Sequence, residues 1–353
     1  MPNSIITGTG CYIPTRKIKN EYFLKTEFYD DNYEKLTKSN EDIIAKLQEI
    51  TCIEERRWAT DDLLTSDMAY LAAKEALNGQ DGEDLDFIIV GHNYGDVKPG
   101  TVRVDICPSL AARVKHLLGI NNPYTVAYDI PFGCPGWLHG MTIADFYIKS
   151  GEVKKVLVIG ADLLSRVTDP HDRDSMIFSD GAGAAIVEAT NEKIGILSHV
   201  TRSDTKKEIS LIFNAKSYCP DKQGNEVYLK MNGHQVFKYA LKYVPRVVKE
   251  SLDKAGFSIT DVKKVLIHQA NEKMDRSIIK NIFKLYKIKD VPDDVMPMTI
   301  AWLGNSSVAT IPTMLDLIQK GKLKDHRLES GDIVVFASVG AGMNINSMVY
   351  RMP

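Results

Sequence analysis

Short apolar runs bounded by charged residues and glycine recur along the chain and predict strands. Four of them lie at 87–90, 156–159, 265–267 and 333–336. The runs do not alternate with polar residues, which is typical of strands covered on both faces of a sheet. Segments with helical spacing lie between them, at 66–78, 136–149, 235–254, 272–286 and 306–319. The pattern predicts an α/β fold.

Two stretches of the chain resemble each other at a fixed separation. A helical segment, a glycine, an acidic turn and an apolar strand precede His92 and, 176 positions later, His268. The apolar runs at 158–160 and 335–337 repeat at nearly the same separation. A duplication predicts two halves, 1–190 and 191–353, packed as one five-layered αβαβα body because no Pro- or Ser-rich linker divides them. The alternative is a chance match between common αβ units.

Composition excludes several classes of protein. The 353 residues are 44% hydrophobic and 25% charged, so two compact units with a sizeable core are expected. A formal net charge of -2 argues against general nucleic-acid binding. The five cysteines are widely spaced, which fits neither a disulfide framework nor a zinc site. Since no secretion signal or membrane-length apolar run is found, we expect a cytoplasmic protein without a membrane span.

Cys134 is the first candidate for chemistry. It follows a strand-like segment and Gly133, and it precedes Pro135 and a segment with helical periodicity. Proline suits the first position of a helix, so the thiol is expected at a helix N-terminus. The unpaired N–H groups and the macrodipole there favour a thiolate nucleophile. The alternative is an inert buried cysteine.

Two polar residues in the second half are further candidates. His268 ends the apolar strand 265–267, and the carboxyl ends of parallel strands are where sites on such sheets collect. Asn305 is predicted to open the helix that runs to residue 319. Each also has a structural interpretation, His268 as a satisfied core residue and Asn305 as a helix cap. Neither residue alone predicts a function.

Taken together, these motifs resemble the β-ketoacyl-acyl-carrier-protein synthase III family of the thiolase superfamily. The resemblance rests on the order and separation of Cys134, His-Gln-Ala-Asn at 268–271, Gly-Asn-Ser-Ser at 304–307 and Gly-Ala-Gly at 340–342. Further similar stretches lie at 53–57, 169–173, 179–184 and 231–237. The resemblance implies a duplicated thiolase-like fold and a homodimer. It also implies an acyltransferase of fatty-acid biosynthesis that condenses an acyl thioester with malonyl-acyl-carrier protein.

The resemblance assigns a role to each matching residue. Cys134 would carry the acyl group, and His268 with Asn305 would stabilise the enolate left by decarboxylation of the malonyl group. The backbone N–H groups of Cys134 and Ala341 would form an oxyanion hole, although the family commonly has glycine where this chain has Ala341. No metal or cofactor is implied beyond the thioester substrates, which are acyl-coenzyme A or acyl-carrier protein and malonyl-carrier protein.

Two departures from the family concern specificity. The family's primer-binding segment resembles Trp-Ile-x-x-Arg-Thr-Gly, and its Trp and Arg sandwich the adenine of coenzyme A. This chain has Lys46 and Ile50 there, so we expect weak binding of coenzyme A thioesters and a preference for carrier-protein donors. Cys107 replaces a bulky residue that closes the acyl pocket in the family. We therefore expect a longer acyl chain to be tolerated.

Basic and polar residues near His268 are expected to meet the substrates. Arg173 matches a phosphate contact of the family, and Asn271 and Lys273 are expected substrate-binding residues at the tunnel mouth. Lys273, Arg276 and Lys280 fall at i, i+3 and i+7 of one predicted helix and form a basic stripe. The stripe predicts docking of the acidic acyl carrier protein. A solvated helix face is the alternative.

Other functions remain as competing hypotheses. Loss of the adenine sandwich also fits a specialised condensing enzyme or acyltransferase of secondary metabolism. A cysteine thioester hydrolase that uses Cys134 and His268 would release free acid without consuming malonyl groups. An inactive acyl-binding paralogue is disfavoured because Cys134, His268 and Asn305 are all retained. The primer's chain length and its carrier, coenzyme A or carrier protein, stay open.

Overall fold

The computed structural model describes residues 1–353 and contains eight α-helices and fifteen strands. The helices are α1 (Asn40–Thr51), α2 (Thr65–Leu77), α3 (Leu110–Leu118), α4 (Gly136–Ser150), α5 (Gly233–Ala255), α6 (Glu272–Leu285), α7 (Ile300–Leu303) and α8 (Thr310–Gln319). The strands are β1 (Asn3–Tyr12), β2 (Arg16–Lys19), β3 (Glu55–Trp58), β4 (Phe87–His92), β5 (Asp96–Val97), β6 (Val104–Asp105), β7 (Val126–Pro131), β8 (Lys155–Leu163), β9 (Asp180–Thr190), β10 (Gly195–Ser203), β11 (Ile212–Ala215), β12 (Tyr228–Met231), β13 (Val262–Ile267), β14 (Ile333–Gly340) and β15 (Asn344–Arg351).

Two mixed sheets form the centre of the molecule. The first has the order β1-β9-β8-β4-β7. Strands β8, β4 and β7 run parallel to one another, and β9 runs antiparallel to both of its neighbours, β1 and β8. The second has the order β10-β15-β14-β13, in which only β14 and β13 are parallel. Every residue of β8 and β14 is buried, which confirms the prediction of strands covered on both faces.

The helices complete five layers. α2 packs on the first sheet beside α3, and α5 packs on the second sheet beside α6. α4 contacts strands of both sheets, and α8 contacts β1 and β9 of the first sheet and β13 of the second. The order is therefore helices, sheet, helices, sheet, helices. This arrangement confirms the predicted thiolase-like αβαβα fold.

The two sheets repeat one another in the register that the sequence indicated. Gly91 of β4 pairs with Gly160 of β8, and Ile267 of β13 pairs with Ala337 of β14. Gly91 and Ile267 are 176 positions apart along the chain, and Gly160 and Ala337 are 177 positions apart. β9 ends and β10 begins on either side of residues 191–194, while the division into domains at residue 190 stays a prediction.

Four of the five predicted helices, α2, α4, α5 and α6, lie where the apolar spacing placed them. The prediction of a helix over 306–319 is wrong at its start, because α8 begins at Thr310 after a 3₁₀ turn over Ser307–Ala309. Asn305 does not cap α8. Its backbone is tied to the segment before β9, and Ser307 has φ of 53°, outside the helical region. None of the eight helices combines the length and apolar character that crossing a membrane requires.

Candidate active site

Cys134 lies in the short turn between β7 and α4. Gly133 has φ of 71°, a conformation that glycine adopts without a steric penalty. Gly340, at the end of β14, packs against the same turn, and a Cβ atom there would lie 2.8 Å from Cys134 N. The two glycines therefore let a strand of each sheet meet at the cysteine.

A small cavity of about 40 Å³ lies in front of Cys134. Its polar lining comes from both halves of the chain and consists of Asn93, Cys134, His268, Asn305 and Ser307. Its remaining lining is apolar and consists of Leu164, Phe178, Ile212, Leu229, Met231, Val236, Ala270, Met274, Val339 and Ala341. The structure thus brings together Cys134, His268, Asn305 and Ala341, which the sequence singled out separately.

The environment of Cys134 favours the neutral thiol over the thiolate. Burial raises the pKa of Cys134 to about 12, and Asp162 acts in the same direction. A hydrogen bond from Ser307 and the backbone N–H of Cys134 itself oppose this shift. α4 begins at Gly136, with Pro135 as its N-cap, so the thiol lies at the helix N-terminus as predicted. Burial nevertheless disfavours the thiolate more strongly than these groups favour it. The prediction of a thiolate from the sequence did not take burial into account.

His268 follows β13 and is held by its backbone, since its N–H donates to Ala337 O at 2.9 Å. The side chain is buried, and burial lowers the pKa of His268 to about 4, against an opposing hydrogen bond to the Ser307 backbone. The imidazole is therefore neutral at pH 7. Its Nδ1 atom has no hydrogen-bond partner. A neutral imidazole carries one N–H donor and one acceptor nitrogen.

Asn305 is fixed by three hydrogen bonds. Its N–H donates to Ile177 O at 3.0 Å, and its carbonyl oxygen accepts from Ser179 N at 2.9 Å. Its side-chain Oδ1 accepts from Ser307 N at 2.8 Å. Because this bond assigns Oδ1 as the acceptor, the amide Nδ2 remains as a donor for a group in the cavity.

Three residues behind the cysteine, Ser307, Asn93 and Asp162, were not predicted as site residues from the sequence. Ser307 Oγ lies 3.1 Å from Cys134 Sγ, and Asn93 Nδ2 donates to Ser307 Oγ at 2.8 Å. Asn93 also donates to the buried carboxylate of Asp162, through Nδ2 at 2.6 Å and through its backbone N–H at 2.8 Å. Asn93 follows the first copy of the repeated strand, so its position at a strand's carboxyl end was the available signal.

A larger cleft of about 510 Å³ leads to the cavity. Arg173 and Asn271, two predicted substrate-binding residues, line it, as do Lys46 and Ile50 of α1. Four residues line both spaces, namely Met231, Val236, Ala270 and Met274. The cleft and the cavity therefore adjoin at these four residues.

The other predicted contacts lie elsewhere. Cys107 is exposed and lines neither the cavity nor the cleft, so its role as a pocket gate stays a prediction. Lys273 forms an ion pair with Glu49 at 3.2 Å, and Arg276 forms one with Glu272 at 2.7 Å. Two of the three positive charges in the predicted stripe are thus compensated within the chain by carboxylates on the surfaces of α1 and α6. Lys280 forms no salt bridge and lies beside Lys284, Lys287 and Lys289.

Comparison with known proteins identifies the family. The models of 3-oxoacyl-[acyl-carrier-protein (ACP)] synthase III and of its C-terminal domain match residues 128–205 and 252–352. The chain is 35% identical to a β-ketoacyl-[acyl-carrier-protein] synthase III of Syntrophomonas wolfei, over 98% of this chain and 96% of the relative.

Solved structures agree with this match. The synthase III of Aquifex aeolicus superposes with a TM-score of 0.78 at 31% identity, covering 99% of both chains. The priming β-ketosynthase of the R1128 polyketide pathway superposes with a TM-score of 0.81 at 26% identity, covering 99% of this chain and 96% of the other. The chain belongs to the 3-oxoacyl-[acyl-carrier-protein] synthase III family.

Proposed function

We propose that this protein is a condensing acyltransferase that joins an acyl thioester to malonyl-acyl-carrier protein with loss of carbon dioxide. The observation that carries the proposal is the single cavity lined by Cys134, His268, Asn305 and Ala341. A nucleophile, a neutral imidazole and an amide donor converge there on a space that one thioester carbonyl would fill. The route needs only these groups and the two thioester substrates.

In the first proposed step, Cys134 takes the acyl group. The sulfur of Cys134 attacks the carbonyl carbon, the carbon–sulfur bond to the carrier breaks, and the proton of the cysteine ends on the carrier's sulfur. The imidazole of His268, which lines the cavity with Cys134, is the proposed group that accepts this proton and returns it, because a neutral imidazole has one acceptor nitrogen. The backbone N–H groups of Cys134 and Ala341 are the proposed donors to the carbonyl oxygen in this step.

In the second step, the malonyl thioester loses carbon dioxide. Its carbonyl oxygen becomes an enolate oxygen, and preorganised donors at that atom lower the barrier. Asn305 supplies Nδ2, the amide atom left free by the bond between its Oδ1 and Ser307 N. His268 supplies a ring N–H as a neutral donor, since burial keeps its pKa near 4. The enolate carbon then bonds to the acyl carbon, and Cys134 leaves as the thiolate.

The cavity supports a short acyl group in this reaction. A cavity of about 40 Å³ has room for roughly three water-sized groups. Its apolar end is packed by Leu164, Phe178 and Leu229, and Tyr94 lies against them with its hydroxyl 2.6 Å from Asn214 Oδ1. The longer chain expected from Cys107 gains no support, because that residue lies outside the cavity.

The proposed partner is an acyl carrier protein, and the outer helices α5 and α6 supply a basic surface beside the cleft. Both helices begin at the cleft, where Gly233 and Asn271 contribute to its lining. Four exposed lysines, Lys238 and Lys242 on α5 and Lys280 and Lys284 on α6, form no salt bridge. We call them the α5–α6 basic face. It replaces the narrower stripe, in which two cations are ion-paired.

We also propose a homodimer that forms through β7. This strand is at the edge of its sheet and pairs only with β4, so one row of its backbone groups has no partner strand. Tyr124, Val126 and Phe146 near it are 84%, 48% and 59% exposed. A second copy of this edge would cover these apolar groups. Sedimentation analysis of the wild type and of Phe146→Asp tests this, with a monomer expected only for the variant.

The five cysteines support a reducing compartment, the cytoplasm, as the place of action, because none of them forms a disulfide.

The pathway served is a separate question. A priming role in a specialised pathway is the second candidate, and the likeness to the R1128 priming β-ketosynthase favours it. The two functions share one reaction and differ in the acyl group that they use.

Mass spectrometry of the intact protein tests the proposed function. The protein is mixed with acetyl to dodecanoyl thioesters on coenzyme A and on acyl carrier protein, and the added mass is mapped to a peptide. We expect the label on Cys134, none in Cys134→Ala, and a decline beyond about four carbons. A label on Cys107 or Cys52 would contradict the assignment. Release of free acid that needs no malonyl group and survives Asn305→Ala would indicate the hydrolase instead.

A further inference from the structure

A buried hydroxyl group faces the sulfur of Cys134. Ser307 is 1% exposed, and its Oγ lies 3.1 Å from Cys134 Sγ. Ser307 also touches the other side of the site, because its backbone N–H bonds Asn305 Oδ1. One residue therefore contacts both the nucleophile and the amide that we assign to enolate stabilisation.

Asn93 sets the direction of the bond between Ser307 and Cys134. Both side-chain oxygens of Asp162 accept hydrogen bonds from Asn93, through its backbone N–H and its Nδ2. Burial raises the pKa of Asp162, and its hydrogen bonds with Asn93 and Ser307 oppose this shift. The atom facing Asp162 Oδ2 is thus the amide nitrogen of Asn93, whose second hydrogen is donated to Ser307 Oγ. Because Ser307 Oγ accepts from Asn93, its own hydrogen is free to be donated. The two acceptors beside it are Cys134 Sγ, at 3.1 Å, and the side chain of Asp162.

We propose that Ser307 is a further catalytic residue, whose hydroxyl donates to the sulfur of Cys134 and stabilises the thiolate, and that Asn93 is the positioning residue that orients it. The inference rests on the proposed function for its role in turnover. The thiolate exists twice in that reaction. It forms when Cys134 loses its proton to attack the donor thioester, and it forms again when the carbon–sulfur bond of the acyl-cysteine breaks in the condensation.

The site needs such a donor because Cys134 is enclosed by protein. Burial is the dominant cause that raises the pKa of this thiol, and the hydrogen bond from Ser307 is the largest cause that lowers it. A hydrogen bond to an ionised group is roughly twice as strong as one between neutral groups. A donor that is already aimed at the sulfur also needs no reorganisation when the charge develops.

The backbone at Ser307 supports a role beyond packing. Its φ of 53° is uncommon for a residue with a side chain, and such conformations collect at functional sites. The bond from Ser307 N–H to Asn305 holds this turn in place. Glycine adopts the same φ freely, so Ser307→Gly removes the hydroxyl without adding strain, whereas Ser307→Ala removes it and keeps the Cβ atom.

Alkylation of Cys134 by iodoacetamide tests the contact without any substrate. The rate is measured from pH 6 to pH 11 by peptide mapping in the wild type, Ser307→Ala and Ser307→Gly. We expect both variants to react about tenfold to a hundredfold more slowly throughout this range, because the wild-type Cys134 pKa of about 12 lies above it. Ser306→Ala is the matched control, since Ser306 Oγ lies 3.3 Å from Thr310 Oγ1 and does not contact Cys134. Wild-type profiles in both Ser307 variants would overturn the proposal.

Acyl loading and decarboxylation then separate Ser307 from the enolate donors. Loading of Cys134 in Ser307→Ala should slow by the same factor as alkylation. Malonyl decarboxylation in Cys134→Ala should not change when Ser307→Ala is added, because no thiolate takes part. Asn93→Ala should slow alkylation about threefold to tenfold in the wild type and have no effect in Ser307→Ala, since coupled residues are not additive. An additive effect would refute the positioning role.

These measurements also distinguish the two proposals from each other. If the wild type loads no acyl thioester but the alkylation profile shifts in the Ser307 variants, the proposed function fails and the Ser307 contact stands. If the wild type loads and condenses normally and the Ser307 variants behave like it in both assays, the proposed function stands and the role of Ser307 fails.

Discussion

The two halves of the molecule place a histidine and an amide residue at the same point of the repeated fold and use them in opposite ways. In the first half, His92 is buried, with Nε2 3.3 Å from Asp129 Oδ2, while Asn93 contacts the active-site serine. In the second half, His268 lines the cavity, and Gln269 is fully buried in hydrogen bonds to the segment at 297–299.

Active-site residues can therefore lie at the carboxyl end of either strand, but this position alone does not determine whether the histidine or the amide residue contacts the site. The selection comes from the neighbours. Asp129 accepts backbone N–H groups from Leu110 and Ala111 at the start of α3, and this anchored carboxylate lies beside His92. No carboxylate forms a salt bridge with His268, so its imidazole stays available to the cavity.

The strongest test of this comparison exchanges each histidine for alanine. His268→Ala should lower malonyl decarboxylation and condensation by about 10²–10³, because one preorganised donor to the enolate is lost. His92→Ala should leave the rate per folded molecule within a few-fold of the wild type and lower thermal stability. Steady-state rates normalised to the folded fraction make the comparison. Equal losses of activity in the two variants would show that the halves do not divide the roles in this way.

Acid titration of stability tests the burial of the neutral His268 imidazole. The folded state holds the pKa of His268 near 4, below the ordinary value near 6.5. The unfolded chain therefore binds a proton at a pH where the folded chain does not, so the free energy of unfolding falls as pH falls from 6.5 to 4. The full effect is on the order of 3 kcal/mol. Denaturant unfolding at several pH values should show that His268→Gln lacks this part of the decline, and parallel curves would contradict it.

The amide residues give a third test. Gln269 Nε2 donates to Pro297 O at 2.8 Å, and its Oε1 accepts from Thr299 N at 2.9 Å. Gln269→Ala leaves two buried backbone groups unpaired and should lower the free energy of unfolding by about 1–3 kcal/mol. Asn93→Ala, at the equivalent position of the first half, should instead be most visible in the pH profile of Cys134 alkylation. Chemical denaturation of both variants checks this, and an undiminished stability in Gln269→Ala would contradict it.

The sequence predicted the parts of this molecule that depend on local pattern. Continuous apolar runs marked the central strands, because a strand buried on both faces has no polar positions, and the offset of 176 residues marked their repetition. Family motifs selected Cys134, His268 and Asn305, which the fold then brings to one cavity.

The rest depends on contacts between distant residues. Ser307 has a positive φ, and the backbone of Asn305 is hydrogen-bonded to residues 177 and 179. Neither fact can be read from Gly-Asn-Ser-Ser alone. The raised pKa of Cys134 follows from its enclosure in the folded chain, not from its place in a helix. The ion pair of Lys273 joins residues 224 positions apart, so a helical stripe of charges could not predict its neutralisation.

The smallest expected effect concerns the outer surfaces of the two halves. The α5–α6 basic face lies beside the cleft. In the first half the outer helix is α2, which carries Lys74 next to Glu75. Glu75 accepts a hydrogen bond from Cys11 N and forms an ion pair with Lys320. Lys280→Glu/Lys284→Glu should raise KM for acyl-carrier-protein donors about threefold to tenfold, because surface charges change encounter more than chemistry. The effect should shrink as salt shortens the Debye length below ~10 Å. Lys74→Glu is the control for the single variant Lys280→Glu, since each replaces one positive charge with one negative charge, and it should leave KM unchanged. Acyl-coenzyme A loading should respond to none of these variants. An equal rise in KM for Lys74→Glu would mean that net charge, and not the α5–α6 basic face, governs the encounter with the carrier protein.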